Sequence, residues 1–312
     1  MPEKPIIVFD TSALNKLAKE ADALPLAAGL RAGYRVCLTA MSVDELLASK
    51  SVQEKAEFFQ QCRKISPDGI VCLMPTGMLL RQMVASYSQQ PDRFDWRKIN
   101  VRIKEYEDAL SRFEDFLLDE KLAEEQRGFA KQTSATFEKW FRNLRPQLQT
   151  IYRVAGEQPH AYHDVLKYSL EDGGVFWGFA KELYRVAQEW RASPDGPSRP
   201  EGIERISLPD DETIKTFVNS CPPFRCVVTA FILTWYDRSV RGTHAQPRFE
   251  AGRVDQFMSA YLPYFPQFIT HDEPQQRCLQ EVVRACGLST QVRPYEDFYN
   301  GFMVFGTSVI AS

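Results

Sequence analysis

Four acidic residues lie where the predicted elements could bring them together at one metal site. Asp10 follows the apolar run IIVF, and Asp272 follows the run QFIT after one intervening residue. Glu45 falls in the first turn of the helix predicted after the second strand, and Asp255 falls on the helix predicted before the fourth strand. Clustered carboxylates repel one another, and hard divalent cations, which prefer carboxylate and water oxygens, remove that penalty. The four positions therefore predict a site for Mg²⁺ or Mn²⁺.

A metal site of this kind predicts phosphodiester hydrolysis. Two divalent ions about 3.5–4 Å apart can activate the attacking water and stabilise the attacking and leaving oxygens of an in-line displacement. Ser12, two residues after Asp10, and Thr270, two residues before Asp272, could hydrogen-bond a carboxylate or a water beside it. Each acid also has an ordinary explanation as a helix cap, a first-turn acid or a surface ion-pair partner. The joint placement of the four acids favours an active site.

The elements that must position these acids read as an α/β domain. In residues 1–90, the apolar runs IIVFD, YRVCLTA and GIVCLMP alternate with helical segments, a pattern that predicts βαβ units and a parallel sheet flanked by helices. From residue 250 the pattern returns as the helix GRVDQFMSAYLPYF, the strand PQFIT, the helix EPQQRCLQEVVRACG closed by Gly287, and the strand STQVRPY. Open sheets bind ligands outside the carboxyl ends of their strands. A sheet of about five strands therefore places the acids at one rim.

The middle of the chain predicts a large all-α insertion. Strand signals largely disappear over residues 91–249, where apolar residues recur at helical spacing, for example in VRIKEYEDALSRFEDFLLDEKLAEE, which begins at residue 101. The segment RASPDGPSRPEGIERISLPDDE, residues 191–212, predicts an exposed loop. Residues 1–90 and 250–312 are thus interpreted as one discontinuous α/β domain, with residues 91–249 inserted into it.

Composition limits the partners and the compartment. A net charge of −3 creates no overall field that would attract a polyanion, although a local basic face can coexist with it. No apolar run approaches the roughly 20 residues that a membrane-spanning helix needs. The seven cysteines are an odd number, scattered through the chain, as in reduced core thiols. We therefore expect a cytoplasmic protein that has no membrane segment.

Several segments resemble the PIN domain, a metal-dependent nuclease fold, in the order that this family uses. They are IIVFDTSAL, SVDELL, VDQFMSAYLPYFPQFITHDEPQ and VRPYEDF, and they cover roughly residues 5–90 and 250–300. The likeness is greatest to larger bacterial PIN-like proteins that carry a helical insertion. It implies that the four family acids fall on Asp10, Glu45, Asp255 and Asp272. It also implies endonucleolytic cleavage of RNA, less often of DNA, which leaves a 5′-phosphate and a 3′-hydroxyl.

The chain departs from the family pattern at three positions. Pro266 stands where an acid is common, Met258 stands at a frequent polar or His position, and His271 replaces the first Asp of a common TDD sequence. The four acids are intact, but auxiliary metal ligation and family specificity do not follow from the resemblance.

A nucleic-acid substrate also requires cations beside the acids. The candidates on the helical segment that leads towards Asp255 are Arg225, Arg238, Arg241 and Arg253. A second basic group interleaves with aromatic residues and consists of Lys139, Trp140, Phe141, Arg142 and Arg145. An ordinary amphipathic helix with a solvated basic face is the favoured explanation of that second group.

Two other functions compete with the nuclease hypothesis. An aspartyl-phosphate phosphatase also has an Asp at the end of its first strand, but it needs a second acid two residues later, where this chain has Ser12. A non-catalytic PIN-like interaction module, in which the acids are vestigial, is the other alternative. A second copy of the chain or a regulatory protein also stays open as a partner.

Overall fold

A computed structural model describes residues 4–19, 29–30, 32–49, 51–65, 71–104, 107, 120–153, 162–170, 174–192, 208–241 and 253–301. In this part of the chain, five strands form one parallel sheet in the order β3-β2-β1-β4-β5. The strands are β1 (Ile6–Phe9), β2 (Arg35–Thr39), β3 (Val71–Leu73), β4 (Gln267–Thr270) and β5 (Gln291–Pro294). The predicted α/β class and the five parallel strands are confirmed.

Helices connect the strands and fill the middle of the chain. The first part contains α1 (Thr11–Lys19), α2 (Ala40–Ser49), α3 (Val52–Ile65) and α4 (Thr76–Gln89). The largely helical middle contains α5 (Glu120–Arg153), α6 (Tyr162–Leu170), α7 (Val175–Ala192), α8 (Asp211–Ser220) and α9 (Pro222–Tyr236). The last part contains α10 (Arg253–Met258) and α11 (Glu273–Cys286). Short 3₁₀ helices span Pro91–Arg93, Trp96–Lys98 and Ser259–Tyr264, and Asp237–Arg241 forms a π-helical turn.

The sheet is buried on both faces. Side chains alternate along each strand, so that Val8 contributes to one apolar cluster while Ile7 and Phe9 contribute to another. Helices α1 and α3 cover the face of Ile7 and Phe9, and α9 and α11 belong to the cluster on the opposite face. This two-sided burial explains why the segments IIVF, VCLT, VCL and FIT are largely continuous apolar runs, whereas the edge strand β5 has the sequence QVRP.

Helix α9 is the central helix of the larger cluster. It is buried along almost its whole length, and it packs against α11 and the 3₁₀ helix Ser259–Tyr264. Side chains of the middle region, such as Phe217 and Phe231, lie in the same apolar cluster as Val8 of β1. The largely helical middle therefore shares its core with the sheet.

Because α9 is strongly apolar, the helices are compared with the length and hydropathy that a membrane-spanning helix needs. In the part of the chain that the structure describes, no single helix is long and apolar enough to cross a membrane. Asp211–Ser220 and Pro222–Ser239 meet that criterion only as a pair, and a bend of 103° separates them.

The structure corrects the sequence-based boundaries in two places. The helix predicted from residue 101 is wrong at its start, because the backbone of Val101 accepts from Met74 and that of Ile103 donates to Cys72 in an antiparallel bridge. This bridge satisfies backbone groups of β3, which is an edge strand of the sheet. The helix predicted over residues 252–265 changes to a 3₁₀ helix at Ser259, since Pro263 cannot donate an α-helical hydrogen bond.

Two other predictions concern the ends of elements. Gly287 ends α11 with a left-handed φ of 65°, a conformation that favours glycine, and the predicted helix end is confirmed. Of the loop predicted over residues 191–212, residues 193–207 lie outside the described part of the chain.

Candidate active site

The strand order creates a switch point between β1 and β4. The chain runs outward from β1 to β2 and β3, and it then returns to the other side of β1 to form β4 and β5. Crevices at such points, outside the carboxyl ends of the strands, are the usual ligand sites of open α/β sheets. Asp10 directly follows β1, and Asp272 follows β4. These two acids therefore lie at the switch point.

Asp10 is a buried carboxylate with several hydrogen-bond donors. Its side chain is only 3% exposed. Oδ1 accepts from the backbone N–H of Ala13 at 2.7 Å, and Oδ2 accepts from the Thr270 hydroxyl at 2.6 Å. The Ser12 hydroxyl lies 2.9 Å from both oxygens. The bond to Ala13 also caps α1, so the site and the helix start use the same side chain.

The electrostatic state of Asp10 reflects this burial. Removal from water raises the pKa of Asp10 to about 6, although hydrogen bonds from Thr270, Ala13 and Ser12 oppose the rise. The negative charge of Asp272 adds to it. The ionised form of Asp10 is therefore held at an energetic cost that a bound cation would reduce.

Thr270 and Ser12 join the two sides of the switch point. The Thr270 hydroxyl, which donates to Asp10, also accepts from the backbone N–H of Asp272 at 3.0 Å. The Ser12 hydroxyl accepts from the backbone N–H of His271 at 2.9 Å. The end of β1 and the end of β4 are thus tied by side chains on both strands.

Asp272 begins α11 as its N-cap. Its Oδ1 accepts from the backbone N–H of Gln275 at 2.7 Å. Its Oδ2 receives no hydrogen bond from any residue that the structure describes, and the side chain is half-buried. The helix cap therefore occupies one of the two oxygens of Asp272.

Gln275 connects Asp255 to this group. Its side chain is 1% exposed, its amide Nε2 donates to Asp255 Oδ1 at 3.3 Å, and its Oε1 lies 2.8 Å from the Thr270 hydroxyl. The Thr270 hydroxyl has a single proton, which it can donate to either Asp10 or Gln275 at one time. The contiguous side chains Asp10, Thr270, Gln275 and Asp255 are called the rim network below. Gln275 is a site residue that the sequence-based prediction does not include, although the sequence carries a signal for it. It is the polar first member of the buried stripe Gln275, Cys278, Leu279 and Val282.

Helix α10, which carries Asp255, lies near the carboxyl ends of the strands. The Thr39 hydroxyl at the end of β2 contacts the Met258 sulfur at 3.5 Å, and the Thr76 hydroxyl donates to the Phe257 carbonyl at 3.0 Å. Asp255 thus approaches the rim from a third element.

Glu45 is the fourth predicted acid of the site. It lies on α2, which begins immediately after β2, and its side chain is exposed. Across the described residues, no hydrogen bond or ion pair joins Glu45 to the rim network. Neighbouring side chains and backbone groups therefore link Asp10, Asp272 and Asp255, and the part of Glu45 in the site stays a prediction.

The four predicted substrate-binding arginines have different surroundings. Arg238 donates to Glu138 at 2.8 Å and stacks over the ring of Phe141 at 4.3 Å, so it fastens α5 to the end of α9. Arg225 lies close enough to Cys286 for its charge to act on that thiol. Cys286 ends the 14-residue helix α11, whereas Asp272 is its N-cap, so Arg225 lies near the end of α11 that is opposite to Asp272. The side chains of Arg241 and Arg253 lie outside the described part of the structure.

The carboxylate oxygens at the rim suit a hard cation, but they do not surround a single point. No three His, Cys, Asp or Glu side chains in the described ranges are grouped closely enough to hold a metal ion. The rim nevertheless offers carboxylate oxygens from Asp10, Asp255 and Asp272, which Mg²⁺ and Mn²⁺ prefer. The buried charge of Asp10 is a physical reason for a cation to bind there.

These features define the chain as an α/β protein with a five-stranded parallel sheet, a largely helical middle region and carboxylates at the switch point. No family model, curated protein or solved structure matches the chain.

Proposed function

We propose that this protein is a divalent-metal-dependent nuclease with a PIN-like α/β domain, acting on RNA in preference to DNA and using Mg²⁺ or Mn²⁺. The observation that carries the proposal is the buried carboxylate of Asp10 at the switch point, beside Asp272 and connected through Thr270 and Gln275 to Asp255. A charge held at that cost, at the usual ligand position of an open sheet, is expected at a site that binds cations.

The proposed roles follow from the contacts of each residue. Asp10, Asp272 and Asp255 would hold the metal, and Glu45 would complete the site directly or through water. When bound, the ions would supply charge stabilisation for in-line displacement at a phosphodiester. Thr270 and Ser12 orient the Asp10 carboxylate. Gln275 orients Asp255.

The PIN-like assignment has two supports. The quoted motifs place acids after the first strand, on the helix after the second and after the fourth. The all-parallel sheet then brings the first and last of these to adjacent strands. The same fold could also carry a non-catalytic interaction module, an alternative favoured by the exposed Glu45 and by the protein donors that already bond both oxygens of Asp10.

An aspartyl-phosphate phosphatase is less compatible with these contacts. Its nucleophilic carboxylate must reach a phosphorus atom, whereas Asp10 is buried and hydrogen-bonded on both oxygens. The hydroxyl of Ser12, at the position of the general acid, donates to Asp10 itself.

The test is cleavage of labelled single-stranded RNA, structured RNA and DNA in Mn²⁺, in Mg²⁺ and in EDTA. The wild type is compared with Asp10→Asn, with Asp272→Asn, and with Asp92→Asn as a control at an exposed acid of another element. Metal-dependent cleavage that disappears in the first two variants and persists in the control supports the proposal. Cleavage that continues in EDTA, or that survives Asp10→Asn, overturns it.

A further inference from the structure

An open groove runs along one face of the long helix α5. It has a volume of about 690 Å³, and the described residues that line it are Lys131, Ala135, Glu138, Lys139, Arg142 and Asn143. Their spacing of three, four, seven or eight residues places them on one side of the helix. These six side chains are called the α5 groove below.

The α5 groove carries three positive charges that the described residues leave unbalanced. Lys131, Lys139 and Arg142 are exposed, and none of them forms an ion pair within the described ranges. The one acid of the groove, Glu138, is neutralised by Arg238 at 2.8 Å. The whole chain has a net charge of −3, so the local excess of cations in the groove is opposite in sign to the overall charge.

The groove is fixed to the rest of the molecule at several points. Phe141, on the inner side of α5, is 7% exposed and lies beneath the guanidinium of Arg238. Further along α5, the Gln149 amide donates to the Ser239 carbonyl at 2.9 Å. Helix α5 also packs on α2, the helix that carries Glu45. The cations are thus presented on a supported helix whose neighbour carries one of the proposed site acids.

We propose that the α5 groove binds the sugar-phosphate backbone of single-stranded nucleic acid, an inference that rests on the proposed nuclease function for its choice of partner. Lys131 and Arg142 are 11 residues apart, so the cations extend over roughly 16 Å of helix, enough for several consecutive phosphates. Positively charged grooves that follow the backbone are typical of proteins that bind single strands without sequence preference. Because Phe141 is buried, the groove binds by charge rather than by stacking on that ring.

The experiment measures the affinity for labelled single-stranded RNA and DNA by fluorescence anisotropy over a series of salt concentrations. All proteins carry Asp10→Asn and are kept in EDTA, so that cleavage cannot intervene. The groove variant is Lys131→Gln, Lys139→Gln and Arg142→Gln. The control is Arg93→Gln, Lys98→Gln and Lys167→Gln, which removes two lysines and one arginine from exposed positions on other elements. Glutamine keeps helix propensity, and thermal unfolding verifies the fold.

The expected result is at least a tenfold loss of affinity in the groove variant, with a salt dependence shallower by about 2, since each lost phosphate contact removes about 0.7 from the slope for a single strand. The control should bind like the parent. The two nucleic acids are separate arms, and a difference between them identifies the preferred backbone. Equal affinity and slope in groove and control variants would overturn the proposal.

This test separates failure of the groove from failure of the nuclease function. If the wild type cleaves RNA but the groove variant binds as the parent does, the groove proposal alone is wrong. If the groove variant loses affinity but no metal supports cleavage by the wild type, the nuclease proposal alone is wrong.

Discussion

The rim network and the α5 groove hold charge in opposite ways. At the rim, Asp10 is 3% exposed, and burial raises its pKa to about 6. In the groove, Lys131, Lys139 and Arg142 are exposed to solvent, where an isolated charge has little effect on stability. The buried carboxylate therefore opposes folding unless a cation compensates it, whereas the surface cations do not. This difference suggests that the rim performs chemistry and that the groove supplies affinity.

The first and largest expected effect separates these two roles in kinetic terms. Asp10→Asn should lower kcat for RNA cleavage roughly a thousandfold, because the proposed metal loses its buried ligand. The groove variant should instead raise KM about tenfold and leave kcat nearly unchanged, since a phosphate contact distant from the reacting bond binds substrate and transition state alike. Steady-state kinetics in Mn²⁺ measure both quantities.

The comparison would fail if both variants had the same effect on kcat. If the groove variant lowered kcat as much as Asp10→Asn did, the cations would act at the reacting phosphate. The control triple variant at Arg93, Lys98 and Lys167 guards against a general effect of reduced positive charge.

The second prediction concerns the cost of the buried charge. The pKa of Asp10 rises from 3.8 to about 6 on folding, so the folded state binds the proton more tightly than the unfolded state does. Stability contributed by the neutral form is then lost as the pH rises from about 4 to above 6. The free energy of unfolding of Asp10→Asn, relative to the wild type, should grow by about 2 kcal/mol between roughly pH 4.5 and pH 7.5.

Urea denaturation of both proteins in EDTA at several pH values measures this difference. Groups other than Asp10 contribute to both proteins and largely cancel. A difference that stays constant over this range would show that Asp10 is not held in the state described here. Mn²⁺ should stabilise the wild type more than the variant, because only the wild type has the charge to be compensated.

Much of the fold could be predicted from the sequence because its strands are buried on both faces. IIVF, RVCLT and QFIT leave little ambiguity, since continuous apolar runs of that length bounded by polar residues are typical of parallel strands. The pairing of Val101 and Ile103 with β3 could not be predicted, because it depends on which strand lies at the edge of the sheet. Helix α3 is also absent from the sequence-based prediction.

The site was predictable where one residue ends a strand. Asp10 and Asp272 could be located from the sequence, as could the hydroxyls of Ser12 and Thr270 beside them. The contact of Gln275 with Asp255 and the bond of Arg238 to Glu138 were not predictable, because both depend on residues that are distant in sequence. The part of each acid in metal binding stays a prediction.

Gln275 gives the third and smallest expected effect, and it tests whether the rim network acts as a unit. Gln275→Leu places an apolar side chain of similar size in a stripe that is already buried, so we expect the free energy of unfolding to change by less than about 1 kcal/mol. The bond to Asp255 is lost, and side chains that orient metal ligands typically contribute about tenfold or more to metal affinity. Calorimetric titration with Mn²⁺ should therefore show binding weakened by about tenfold.

The matched control for this substitution is Gln276→Leu, the same change one residue further along α11. Gln276 makes no side-chain hydrogen bond to the described residues, and its substitution should leave Mn²⁺ affinity unaltered. Equal affinities for the two variants would mean that Asp255 needs no support from Gln275. A large loss of stability in Gln275→Leu alone would instead make Gln275 a structural residue of the core. Weaker metal binding with preserved stability is the result that requires the rim network. If Gln275 only filled space in the core, its substitution would change the free energy of unfolding and leave the Mn²⁺ affinity unaltered.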